Sequence, residues 1–178
     1  MNNNTRRHYL VLLLLVLLFA APGLTAYIVY FHPQWLTQST TNRGQFVTPP
    51  VKLEALGHHS KWRIVLWNLE EFDKTSLEQL DKLARIRVAL GRHLYNVELT
   101  ILSAVNTNPI PSEFENVVEK THASIVVLSS QESARLIRLY PKSALFLANP
   151  DNFLVLTYPL TAEADDVYHD IKHLLTKG

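Results

Sequence analysis

The sequence predicts an α/β protein, an N-terminal transmembrane helix followed by a domain with a mixed sheet flanked by helices. Three observations carry this prediction. Residues Tyr9 to Phe31 are almost wholly apolar and uncharged, and about 20 such residues cross a bilayer as a helix. From Trp62 onward, stretches rich in β-branched and aromatic residues alternate with stretches of helical period. Near the end, two apolar runs flank Asn149-Pro150-Asp151-Asn152 and lead into an amphipathic segment, so a hairpin closes onto a last helix.

The apolar run follows Arg6-Arg7-His8, and Arg43 is the only charge in the first stretch after it. Lysine and arginine collect on the cytoplasmic flank of a span, so residues 1–8 stay inside, residues 9–31 cross, and the domain is exported. Tyr9 at one end, and Tyr27, Tyr30, Phe31 and Trp35 at the other, suit the aromatic belts of a bilayer. A cleaved leader fits less well. Cleavage after Ala21 or Ala26 would put Phe19 or Leu24 where a small residue is wanted, and the apolar run continues beyond both. Residues 32–50 are polar and end in Pro49-Pro50, which reads as a connector, leaving residues 51–178 as the exported domain.

Within that domain, Trp62 to Trp67 reads as a strand. Thr75-Ser76-Leu77-Glu78 offers a capping box with Thr75 as N-cap, opening a helix that Gly91 stops. Its Leu77, Leu80, Ala84 and Val88 recur at helical spacing and are expected on the sheet. Val97 to Val105 is a second strand, Ser112 to Lys120 a short helix, Ser124 to Leu128 a further strand, and Gln131 to Leu139 another helix. Ser143 to Ala148 and Phe153 to Tyr158 form the hairpin. Ala162 to Leu175 is the last helix, with Val167, Tyr168, Ile171, Leu174 and Leu175 on one face and Glu163, Asp165 and Asp166 in the first turns, where the helix dipole favours acids.

A β-α-β unit, connecting helices and a closing β-β-α make the thioredoxin arrangement. In that fold the turn after the first core strand carries the reactive thiols. Here the turn is Glu70-Glu71-Phe72-Asp73-Lys74-Thr75-Ser76, and the whole chain has no cysteine. That excludes thiolate catalysis, disulfides and cysteine metal sites. A net charge of +1 offers no basic face, so nucleic acid is not an expected partner.

Three stretches together carry a family resemblance: Lys82 to Arg92 at the helix end, Leu145 to Pro159 over the hairpin, and Asn42 to Pro50 in the connector. The set resembles the small single-span proteins of proteobacterial cytochrome c oxidase gene clusters, thioredoxin-like relatives of the Sco-type copper chaperones. Sco-type proteins bind copper through Cys-x-x-x-Cys at the strand-to-helix turn and a histidine before the hairpin. The resemblance puts Phe72 and Ser76 at the cysteine positions and Pro141 near the histidine position, so all three ligands are lost. It implies a periplasmic domain on the inner membrane, partners among cytochrome c oxidase subunits or assembly factors, and no cofactor. Phe72 then has two readings, packing against the helix start or forming a partner contact in place of the thiol.

Other constellations read as structural. His169 and His173 are spaced i, i+4 but lack further ligands, and the adjacent His58 and His59 would point to opposite sides of an extended segment. Glu70, Glu71 and Asp73 lack a companion base or nucleophile and suit a helix start. Asn149 to Asn152 lacks the alternating ligands of a calcium loop. The expectation is a non-catalytic accessory or assembly protein for the oxidase, acting by protein binding. The competing expectations are a copper carrier using histidines, and an envelope protein unrelated to respiration.

Overall fold

The computed structural model describes residues 3–31, 41–57, 60–69, 72–104 and 111–177. The chain divides into two compact units, Met1–Thr41 and Asn42–Gly178. Among the described residues, the first contains one helix, α1 (Asn3–Phe31). Its stretch Arg7–Ile28 is long and apolar enough to cross a membrane. Pro22 lies inside it, and Thr25 Oγ1 donates to the carbonyls of Ala21 and Pro22 at 3.0 and 2.9 Å. Trp35 of the expected aromatic belt lies outside the described residues.

In the second unit the elements run β1 (Gln45–Lys52), β2 (Trp62–Asn68), α2 (Lys74–Ala89), β3 (Val97–Ser103), α3 (Ser112–Thr121), β4 (Ala123–Val127), α4 (Ser130–Leu139), β5 (Ala144–Ala148), β6 (Phe153–Pro159) and α5 (Ala164–Lys177). The six strands form one sheet in the order β1-β6-β5-β2-β3-β4. β2, β3 and β4 are parallel; β5 pairs antiparallel with β2 and β6, and β6 with β1. This is the expected mixed sheet, because crossovers through α2 and α3 make parallel neighbours and the tight turn at 149–152 makes an antiparallel one.

Both faces of the central strands are covered, which is why Trp62 to Trp67 reads as a near-continuous apolar run rather than an alternation. Ile64, Leu66, Leu99, Ile101, Leu145 and Leu147 face α2, α3 and α5. Val65, Trp67, Leu102, Phe146 and Ala148 pack instead with Val47, Val51, Leu53, Leu56 and Leu136 of α4.

Four expectations need correction. The connector ends sooner than expected, because residues 45–50 belong to β1 at the sheet edge and the compact unit starts at Asn42. Prolines suit an edge strand, where a missing N–H breaks no ladder bond on the open side. A bulge between Phe46 and Val51 leaves only Val47 and Val51 buried, four residues apart, so β1 lacks the alternation that marks a strand. The N-cap of α2 is Asp73, not Thr75; its carboxylate accepts the Ser76 N–H at 2.8 Å. The capping box with reciprocal bonds sits at α4, where Ser129 Oγ accepts the Glu132 N–H and donates to Glu132 Oε2. Finally, α2 buries Leu80, Leu83 and Ile86 on the sheet, while Val88 is 71% exposed. Leu77 and Ala84 of the expected stripe pack half-buried against the same core, so Val88 alone departs from it.

Candidate functional site

β2 leads into the strand-to-helix turn before α2. Its last residue, Asn68, is buried, and the chain then turns through Phe72 and Asp73 into α2. Asp73 Oδ1 takes the Ser76 backbone N–H and lies 2.9 Å from Ser76 Oγ, which also reaches Asn68 Oδ1 at 3.3 Å. The Ser76 N–H above all holds the Asp73 carboxyl below its usual range, outweighing what burial adds. At this position Ser76 ties the strand end to the helix cap. Of the nearby acids, Glu70 and Glu71 lie outside the described residues, as do His58 and His59.

Ser76 and Pro141 both line an open groove of about 970 Å³ beside this turn. Its walls come from the end of β2, the start of α2, the loop before β5 and the end of β6, including Leu66, Gln79, Ser143 and Tyr158. Leu69 N–H donates to Ser143 Oγ at 3.2 Å, holding the loop against the end of β2. Gln79 Oε1 in this lining is buried without a hydrogen-bond partner, unlike every other buried side-chain polar atom among the described residues. Phe72 lies outside the groove lining. Its ring stacks on Phe114 of α3 with centroids 4.1 Å apart and planes 24° apart, and it packs half-buried on the core. The stacking partner, Phe114, belongs to α3 and not to α2, the helix that Phe72 precedes.

Sequence reasoning missed a second constellation. Asp170 of α5 is 2% exposed and receives four donors: the N–H of Arg43 (2.9 Å), the N–H of Gly44 (2.8 Å), the Tyr158 hydroxyl (2.7 Å) and His169 Nδ1 (2.9 Å). Burial alone would raise the Asp170 pKa, but the Gly44 N–H, His169, the Arg43 N–H and Tyr158 together bring it below the ordinary 3.8. Burial, and then the Asp170 carboxylate, push Tyr158 up, keeping it a neutral donor. Arg43 also bridges Asp165 and Asp166 on the surface. Gly44 is required here, because a Cβ would lie 2.4 Å from the Tyr158 ring. The available signal was an acid on the apolar stripe of α5, three residues after Val167 and one before Ile171.

The hairpin turn behaves as read. Asn149 Oδ1 accepts the N–H groups of Asp151 and Phe153, and Asn152 adopts φ 69°. Asn152 has an unforeseen duty, since its Oδ1 takes Nη1 of the buried Arg63 at 2.7 Å. His169 and His173 stack with ring centroids 6.3 Å apart, and no group of three or more potential metal ligands forms among the described residues.

Residues 62–177 match the profile of the family described as the transmembrane-like, thioredoxin-like C-terminal domain. The chain belongs to this family. Its domain has a Sco-like thioredoxin fold. Copper-bound ScoI from Arabidopsis thaliana superposes with a TM-score of 0.55 at 14% identity, covering 70% of this chain and 89% of its own. Apo Sco1 from Thermus thermophilus gives 0.56 at 14%, covering 76% and 98%. BsSco, described as a member of the Sco family of cytochrome c oxidase assembly proteins, gives 0.50 at 13%, covering 79% and 99%. At such identities the likeness is one of fold. No curated protein matches the chain in sequence.

Proposed function

We propose that this thioredoxin-like protein is a membrane-anchored, non-catalytic accessory or assembly partner of respiratory cytochrome c oxidase. On this reading α1 holds it in the inner membrane with the N-terminus cytoplasmic and the domain periplasmic, and it works by binding protein. One observation carries the reading: Ser76 and Pro141, the positions that the resemblance assigns to Sco-type copper ligands, both line an open groove in a chain without cysteine. A groove walled by Leu66, Gln79, Tyr158 and short polar side chains suits contact with a polypeptide, not soft-metal ligation. Anchoring would raise the domain's effective concentration near membrane partners.

Affinity capture of the full chain from native membranes tests this. Oxidase subunits or assembly factors should co-purify, and Lys142→Glu at the exposed groove rim should weaken capture about tenfold while leaving the melting temperature unchanged. Phe72→Ala should instead destabilise the domain by about 2–3 kcal/mol through lost packing on Phe114. Capture of envelope proteins unrelated to respiration would replace the oxidase reading. Submicromolar Cu(I) binding by the full chain would replace the binding-protein reading with a histidine-based carrier.

A further inference from the structure

The sheet ends in two unlike edges. At one end β1 carries Pro49 and Pro50 and a bulge in its pairing with β6, devices that keep an edge strand from recruiting another. At the other end β4 pairs in unbroken register with β3, from Ala123 opposite Leu99 to Val127 opposite Ser103. No strand among the described residues lies on its far side. Just beyond β4, the Leu128 N–H donates to the Ser103 carbonyl at 3.2 Å. Backbone groups of successive strand residues point to opposite sides. Ser124 and Val126 therefore turn theirs to β3, and Ala123, Ile125 and Val127 turn theirs outward. None of the usual protection is present here. From Thr121 to Gln131 the sequence has no proline, lysine, arginine, aspartate or glutamate, in a chain that is 19% charged. Ile125, Val126 and Val127 are β-branched, and Val127 is 48% exposed.

We propose that β4 pairs antiparallel with β4 of a second copy, joining two sheets into one across a two-fold axis at Ile125. The edge is self-complementary in that register. Ala123, Ile125 and Val127 of one copy lie opposite Val127, Ile125 and Ala123 of the other, so each outward N–H meets an outward carbonyl. The exposed Val127 side chain then falls beside the small Ala123, and no charge in the strand or its flanks repels the approach. A foreign strand could satisfy the backbone alone; the fit of large against small on both sides of the axis, with neutral flanks, singles out the second copy. One strand pair is a small contact. The inference therefore rests on the membrane-anchor reading above, because confinement in a bilayer raises the effective concentration of one copy near another.

The chain has no cysteine, so introduced thiols report without background. In the proposed register Ser124 lies directly opposite Val126 of the second copy, a pair without mutual hydrogen bonds whose Cα atoms stand about 4.5 Å apart. That is within disulfide range, whereas like residues are diagonal neighbours about 7–8 Å apart. Full chains carrying Ser124→Cys and Val126→Cys, with different tags, are reconstituted together in liposomes and oxidised with diamide. The mixed disulfide should form at least about fivefold faster than either matched one, and Lys142→Cys, on the loop before β5, should give none. Val127→Pro removes only an outward N–H, and Val127→Lys adds the charge that edge strands commonly carry. Either variant, checked for an unchanged melting temperature, should cut the yield about fivefold. Failure of the chain to insert, read by alkaline extraction, overturns the anchor reading and this proposal together. Inserted chains that stay uncross-linked, or that cross-link at 142 as readily as between 124 and 126, overturn this proposal alone. So does full cross-linking in a stable Val127 variant. A photocrosslinker on Ser124→Cys that captures another protein in native membranes, and never a second copy, overturns it in favour of a foreign strand.

Discussion

Asp170 takes backbone N–H groups from Arg43 and Gly44, so a single carboxylate fixes the start of the domain to its last helix. Hydrogen bonds to a buried charge contribute about 1.5–3 kcal/mol each, and orphaned donors add their own cost. Asp170→Asn should therefore destabilise the domain by about 2–4 kcal/mol in a denaturant titration. Because the folded-state pKa of Asp170 lies below its ordinary 3.8, its contribution is full above that value. It is lost as pH falls through the depressed pKa. Thermal melts from pH 6 down to about 2 should show an acid-induced loss in the wild type that is smaller in Asp170→Asn. This residue was partly legible, as a charge on an apolar stripe. Its partner Gly44 was not, because only the close approach of the Tyr158 ring, on β6 and 114 positions later in the chain, explains why a side chain is forbidden there.

For single elements, the capping of α2 separates what the sequence shows from what it hides. Asp73 and Thr75 are both good N-cap residues, and Thr75 with Glu78 completes the box pattern. The structure starts the helix one residue before Thr75 because Asp73 reaches Ser76 while Ser76 reaches Asn68 at the end of β2, a tertiary bond that no local pattern encodes. Asp73→Ala should cost about 1 kcal/mol and Thr75→Ala no more than about 0.5 kcal/mol in chemical unfolding. Element type was otherwise clear: the strands and helices from Trp62 to Lys177 follow their periods with ends shifted by one or two residues. β1 was hidden because its two prolines and its bulge remove the alternation by which a strand is recognised, and its pairing with β6 lies about 110 residues away in sequence, between Gln45 and Thr157 for example. Likewise Leu83 and Ile86 lie outside the expected stripe of α2, and only the placement of α3 and α5 decides that they join Leu80 in the core.

For the whole molecule, the true beginning of the folded unit is open to a direct test. A fragment from Asn42 to Gly178 keeps β1 and the Asp170 clamp; one from Val51 loses Val47, most of β1 and the Arg43 and Gly44 donors. The shorter fragment should be less stable by at least about 3 kcal/mol, since it leaves a buried carboxylate short of partners and uncovers one edge of the core. Equal melting of the two would return residues 42–50 to the connector.

The same clamp sets how a tethered chain bears load. A pull arriving along the connector reaches Arg43 and Gly44 first, and only then Gln45, the first residue of β1 paired with β6. Loaded from that end, an edge strand would peel like a zipper, one ladder bond after another. The Asp170 carboxylate stands in front of the zipper, and its several bonds must give together before peeling can begin. In mechanical terms it is the stitch at the end of the seam, and force that fails to break it never reaches the sheet.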